Sequence, residues 1–350
     1  LATSSAASDV YKRQHLLLKT QKTMITGLIR NFGTHGQIIR RKYMSEKKVL
    51  VLGANGMLGK MISLHLNSLK FFEVTVSSRS KNKFINDNFE GKFLNLDIDY
   101  PLKNSLDEFL KENNDYKYIV NCIGVIKPKI DESKNISIQN TILTNSYFPL
   151  DLQKLAEQRG IKYIQIGTDC VFSGKDGGYK EDSFMDAEDL YGKSKIVGEI
   201  AGQNKMLIRS SIIGPEEGNG YSLMNWFLKN NDSSVSGFKN HLWNGVTTLN
   251  FSRVVEGIIM NDDIDFKVQH LIPENTITKA NLLELFKEQF KKSIKINHID
   301  ADVVIDRTLN THSPNLNKDL WTAGGYPTIP TIEENIKELA NSELTKKIMF

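Results

Sequence analysis

The chain has 350 residues, 40% hydrophobic and 25% charged, which suffices for one large or two modest globular domains. Its formal charge of +4 is concentrated at one end: residues 1–43 carry eight Lys/Arg against one acid, so the remainder carries −3 and offers no basic footprint for nucleic acid. No apolar run approaches the roughly 18 residues that span a bilayer, and the two distant cysteines, Cys122 and Cys170, suggest neither a disulfide framework nor a metal site, which fits a cytoplasmic protein without a metal.

The basic, acid-poor start is compatible with a transit peptide, but residues 4–14 read as translated cloning adapter and Met44 as a natural start. Residues 1–43 are therefore expected to be a non-native, poorly ordered extension. From Lys47 an apolar run bounded by lysines and glycine reads as a buried parallel strand. It leads into Gly53-Ala-Asn-Gly-Met-Leu-Gly59 and then a helical pattern. Strand, glycine turn and helix form the setting in which backbone N–H groups hold a pyrophosphate. Gly53, Gly56 and Gly59 leave room for the turn, the phosphates and the helix packing, and Asn55, Met57 and Leu58 complete the expected cofactor loop. The spacing is G-x-x-G-x-x-G rather than G-x-G-x-x-G, and an ordinary strand-to-helix turn is the alternative.

Further strands are expected at 72–77, 92–96, 116–123, 161–166 and 206–210, with helices at 105–112, 136–159 and 189–202. Pro149 should perturb the long helix, and Gly160 should close it. This alternation predicts an α/β fold, a Rossmann-like doubly wound parallel sheet. Beyond residue 214 the regularity loosens. Helices are expected at 222–228, 252–260, 281–292 and 332–341, separated by polar, turn-rich stretches around 214–220, 230–242 and 306–330. The division that follows is an NAD(P)-binding domain over 44–213 and a smaller substrate-binding lobe over 214–350, some segments of which return to the sheet.

The second strand ends in Ser77-Ser78-Arg79, where a cofactor ribose is expected. No acid is present to accept from a 2′-hydroxyl, whereas Arg79 can pair with a 2′-phosphate and Ser78 can donate to it, so NADP(H) is favoured over NAD(H). A solvated loop arginine beside Lys81 and Lys83 is the bland reading. Asp97 and Ile98 follow the third strand, where a side chain meets the adenine amine or caps a turn. Cys122, Ile123 and Gly124 end the fourth strand and would line the nicotinamide side. Thr168 and Asp169 stand at the carboxyl end of the fifth strand, where open α/β sheets bind ligands. Thr168 can orient a substrate carbonyl or cap a turn, and Asp169 is a turn former or a substrate contact. Tyr191 and Lys195 lie one helical turn apart, so the ammonium can favour the phenolate and also donate to a ribose; a solvated helix face is the alternative. Asn145 fixes local backbone or water, or simply packs in its helix.

Together Gly53-Ala-Asn-Gly-Met-Leu-Gly59, Thr168-Asp-Cys-Val-Phe-Ser-Gly174, Tyr191-Gly-Lys-Ser-Lys-Ile-Val-Gly-Glu199 and Leu207-Ile-Arg-Ser-Ser211 resemble the extended short-chain dehydrogenase/reductases, over about residues 46–340. The nearest branch is similar to dTDP-4-dehydrorhamnose reductase. The resemblance implies that Tyr191 protonates a substrate carbonyl oxygen, that Lys195 holds the ribose and tunes the phenol, and that Thr168 binds the reacting oxygen while NAD(P)H gives hydride. Related 4,6-dehydratases carry an Asp-Glu pair after the threonine; here Cys170 follows Asp169, which points to reduction or epimerisation rather than elimination. That branch has an aromatic residue at the place of Cys170 and often tryptophan near Ile212, and the stretch from Arg307 to Asn310 only loosely echoes its arginine-proline motif.

The function expected is NADPH-dependent reduction of a nucleotide-linked 4-keto-6-deoxysugar, in synthesis of a surface deoxysugar such as dTDP-rhamnose. The alternatives are an NAD-retaining epimerase and a non-catalytic cofactor-binding regulatory subunit. Trp226, Lys239, His241, Trp243 and Arg253 fall in or near the smaller lobe and are left unassigned. The sugar, the nucleotide and the assembly, a homodimer among the options, stay open.

Overall fold

A computed structural model describes residues 47–349 except 70–71, 99–104, 200–204, 219, 263 and 266. The expectations for residues 1–43, for a start at Met44 and for the end of the 189–202 helix lie outside the described residues. Six strands follow the sequence in order: β1 (Lys47–Leu52), β2 (Phe72–Ser78), β3 (Lys92–Asn95), β4 (Tyr118–Asn121), β5 (Lys162–Ile166) and β6 (Lys205–Arg209). With Val268–His270 as a seventh, they form a parallel sheet in the order 268–270, β6, β5, β4, β1, β2, β3. The chain is thus the α/β, Rossmann-like fold that its alternation predicts.

Successive residues of β1 point to opposite faces, and each face has its own core. Val49 and Val51 join Met61, Ile62, Val255 and Ile258 from the helices Met57–Ser68 and Thr248–Met260. Leu50 and Leu52 join Leu106, Leu110, Phe148 and Leu152 on the other side. A strand buried on both faces has no polar alternation to show, which is why β1 reads as a continuous apolar run.

The helix expected over 136–159 is three pieces: Asn135–Ile142, a π-helical turn Leu143–Tyr147, and Phe148–Gln158. Pro149 has no N–H for the carbonyl four residues back, and the ladder widens there, with Phe148 N–H bonding to Leu143 O. Gly160 follows the helix at φ +62° as expected.

Two stretches read as turn-rich hold regular structure. Within 306–330, Pro314–Ala323 is a helix that starts on proline and buries Leu316, Leu320 and Trp321. Within 230–242, Ser234–Phe238 pairs in parallel with Lys295–Ile299. Three apolar anchors in ten residues, and a strand containing serines and glycine, give the periodicity too little signal.

Candidate functional site

The glycine turn caps the first helix without a side chain. Gly53 has φ +83°, a conformation that L-residues rarely adopt, and a Cβ on Gly59 would lie 2.2 Å from the Gly53 carbonyl oxygen. The turn therefore closes tightly on the helix start. The N-cap Gly56 offers no side-chain acceptor, so the first-turn N–H groups of Met57 and Leu58 face an open side, and Asn55 and Gly56 are exposed. N–H groups at a positive helix end, without an internal acceptor, fit a pyrophosphate. The neighbouring loop is tied to this turn: Asn55 Nδ2 donates to Ser80 O at 3.1 Å, and Ser78 Oγ donates to the same carbonyl at 2.7 Å. Ser78 is buried, and its hydroxyl is committed to this turn. Arg79 is exposed and makes no ion pair among the described residues. Asp97 is exposed, with Oδ1 accepting the Ile98 N–H at 3.0 Å, so it shapes its own turn and keeps Oδ2 open.

At the ends of β4 and β5 the structure brings Thr168 and Tyr191 together. Thr168 Oγ1 accepts the Cys170 N–H at 3.1 Å and thereby caps the short turn Asp169–Val171. The helix Leu190–Gly198 begins at Asp189, whose Oδ1 accepts the Gly192 N–H at 2.8 Å while Oδ2 meets Lys127 Nζ at 2.8 Å. A Cβ on Gly192 would lie 2.5 Å from the Cys170 carbonyl oxygen, so glycine lets this helix lie directly on the threonine turn. Burial raises the Tyr191 phenol above the usual tyrosine range; Cys170 adds to this and the Thr168 hydroxyl opposes it. Burial thus favours the protonated phenol, the state a proton donor needs. The buried Lys195 Nζ donates to Ile166 O at 3.1 Å, and burial lowers its pKa.

Asn145 connects these parts. Its Oδ1 accepts the Val125 N–H at 2.8 Å, its Nδ2 donates to Val125 O at 2.9 Å and to Ser194 Oγ at 3.1 Å, and it sits in the π turn. It thus clamps the loop after Cys122-Ile123-Gly124 to the Tyr191 helix. Cys122 packs by Gly59 and Gly53, and burial pushes its thiol up to about 12.

The smaller-lobe residues divide. Arg253 pairs with Glu338 at 2.8 Å, Lys239 with Asp300 at 3.1 Å, and the His241 ring with Val303 O at 2.8 Å, so all three are taken up by structural contacts. Trp226 is 46% exposed, leaving its ring free to meet a ligand. Trp243 is buried, its Nε1 donating to Ser211 Oγ at 2.9 Å. Arg307 donates Nε–H to Phe172 O at 2.8 Å, two residues past Cys170. Lys279, which the sequence pattern passes over, has Nζ 5.6 Å from the Trp243 ring centre. A single lysine ahead of an amphipathic helix carries no sequence signal.

The glycine turn and the threonine turn follow the carboxyl ends of β1 and β5, with β4 between them, and the tyrosine helix lies on the threonine turn; the carboxyl ends of the strands are where parallel sheets bind ligands. The family model described as the RmlD substrate binding domain matches residues 47–341. The chain belongs to this family. Its curated relatives include the methionine adenosyltransferase 2 subunit beta of Xenopus laevis, 27% identical over 159 residues, 45% of this chain and 42% of that protein. The chain spans about half the length of the curated relatives it matches. Among solved structures, the dTDP-4-dehydrorhamnose reductase of Bacillus anthracis in complex with NADP is similar at a TM-score of 0.64 and 15% identity, over 84% of this chain and 98% of that one. A mutant UDP-glucuronic acid 4-epimerase of Bacillus cereus, in complex with UDP-4-deoxy-4-fluoro-glucuronic acid and NAD, gives the same four values. At these identities the two structures show a shared fold. No described helix is long and apolar enough to cross a membrane.

Proposed function

We propose that this RmlD-family chain is an NADPH-dependent reductase of a nucleotide-linked 4-keto-6-deoxysugar, with residues 44–213 mainly holding the cofactor and 214–350 mainly the substrate. The observation that carries the reading is the hydrogen-bonding contact of the Thr168 hydroxyl with the Tyr191 phenol at the end of β5, in a sheet whose β1 ends in an uncapped glycine turn. The N–H groups of Met57 and Leu58 would hold the pyrophosphate, and Arg79 would pair with a 2′-phosphate, which favours NADP(H) over NAD(H). Cys122, Ile123 and Gly124 would line the nicotinamide. Bound in reduced form, the cofactor supplies hydride to the carbonyl carbon. Thr168 orients the carbonyl oxygen, Tyr191 gives it a proton, and Lys195 steadies the ribose and offsets the charge left on the phenolate. Asp169 is a substrate contact. With Cys170 in place of an acid, water elimination lacks a proton carrier.

Mixing the protein with NADPH and a dTDP- or UDP-linked 4-keto-6-deoxyhexose tests this: nicotinamide absorbance falls if the reading holds. An unchanged absorbance with both nucleotides, beside an active control reductase, removes it. The second reading, a regulatory subunit, is favoured by the likeness to methionine adenosyltransferase 2 subunit beta. It predicts co-purification with a larger enzyme and a function indifferent to Tyr191→Phe.

A further inference from the structure

The proposed reduction needs Lys195 as an ammonium, and Lys195 is buried. Burial favours the neutral amine, which cannot offset the charge of a phenolate. Two further buried cations reach the end of the same helix from β6. Lys205 Nζ donates to Gly198 O at 3.5 Å, and Arg209 Nε donates to Glu199 Oε2 at 2.7 Å. Glu199 is the C-cap of the Leu190–Gly198 helix, one turn after Lys195. That is an unfavourable place for a carboxylate. It stands at the negative end of the helix, it is buried, and its Oε1 accepts no hydrogen bond among the described residues. The helix gains nothing from it, so its stabilisation comes from the cations around it.

Arg209 takes Oε2. Oε1 is turned to the end of β5: a Cβ on Gly167 would lie 3.0 Å from it and 2.7 Å from Arg209 Cγ. Lys195 Nζ donates to the carbonyl of the preceding residue, Ile166, at 3.1 Å. The unpaired carboxylate oxygen and the ammonium thus converge on one peptide unit, Ile166–Gly167, and glycine at 167 leaves the room for it. Burial lowers the pKa of both Lys195 and Lys205, and at each the Glu199 carboxylate is the strongest group opposing it. The other groups that face Lys195 carry no negative charge. Cys122 at the end of β4 and Cys170 in the threonine turn are thiols that burial pushes up to about 12, burial keeps Tyr191 a phenol, and the π turn presents Asn145 and Ser146 to this helix.

We propose that Glu199 is a positioning residue of the reductase: through Lys195 it keeps an ammonium seated at Ile166 O, with two N–H groups left for the cofactor ribose. This rests on the reductase reading above and extends that site by a residue that touches neither substrate nor cofactor. Arg209 fixes the carboxylate, the carboxylate fixes the charge on Lys195, and β5 supplies the carbonyl that orients it.

Carbon-13 NMR of the full chain, with lysines labelled at Cε, tests it, since that carbon reports whether the ammonium is charged. Lys195→Met identifies the Lys195 signal by its loss. Glu199→Gln is expected to move the Lys195 titration to lower pH by about one pH unit or more, with Lys205 moving the same way. At a pH between the two Lys195 midpoints, NADPH should bind the variant about tenfold more weakly than wild type, and below both midpoints equally well. Glu199→Gln leaves Arg209 buried without its partner. Should that variant not fold, Glu199→Gln combined with Arg209→Met removes both members of the pair and should show the same displaced titration. A Lys195 midpoint unchanged in the single variant, or returned to the wild-type value in the double variant, overturns the proposal and makes Glu199 a structural partner of Arg209 alone. The NMR titration needs no cofactor, so the two readings fail separately: wild-type protein that consumes no NADPH with a ketosugar removes the reductase reading, and with it the place of Glu199 in the reaction, even where the titration is displaced.

Discussion

The two ends of the candidate site are built in opposite ways. The end proposed to hold the dinucleotide is one continuous segment, Gly53 to Gly59, and it offers backbone N–H groups at a helix start. The end proposed to hold the substrate is a mosaic of residues 168–179, 242–243, 277–279 and 305–309, joined by short pairings and single hydrogen bonds. A local backbone device tolerates changes anywhere except at its glycines. A mosaic of side chains can be retuned at many positions but depends on every joint.

The largest expected effect tests whether the two ends meet at one reacting centre. Tyr191→Phe should lower kcat by roughly 10²–10⁴-fold while leaving NADPH affinity within about twofold. Loss of NADPH binding instead would assign the phenol to the cofactor end.

Acid should separate the two ends, because His270 anchors the mosaic to the sheet. Its ring nitrogens meet Asn310 O at 2.8 Å and the Arg209 guanidinium at 3.2 Å, and its backbone N–H bonds to Glu181. Burial, opposed by the nearby Glu181 and reinforced by Arg209, lowers its pKa from 6.5 to about 4. Between those values the unfolded chain holds more protons than the folded one, so stability present above pH 6.5 is lost as the pH falls towards 4. The loss is about 3 kcal/mol. Denaturant titrations across that range should show a shallower decline for His270→Gln than for wild type. Parallel slopes would mean that this ring is not what acid undoes.

Gly59→Ala challenges the dinucleotide end alone. The added methyl would collide with the Gly53 carbonyl oxygen, at a cost of about 1–3 kcal/mol, and should weaken NADPH binding far more than nucleotide-sugar binding, as paired titrations would reveal. The smallest effect is at Arg79, an exposed side chain. Arg79→Ala should narrow the preference for NADPH over NADH by roughly fivefold, and less at high salt. An unchanged ratio of kcat/KM values would return Arg79 to the status of a solvated loop residue.

The sequence by itself determined the sheet, the glycine turn and the Tyr191–Lys195 helix. Each is encoded locally, by an apolar run, a glycine spacing or an i, i+4 pair, and local encoding survives without knowledge of the fold. It also placed Thr168 at a strand end, since strand ends follow from strand runs. Tertiary structure alone decided the rest. Lys195 donates to Ile166 O because a carbonyl at the end of β5 lies within reach of its buried ammonium. Asn145 becomes a clamp because Pro149 opens a π turn under it. Lys279 and Arg307 become neighbours through pairings between two-residue strands, which are too short to leave a period in the sequence and which hold only once the sheet beneath them has formed.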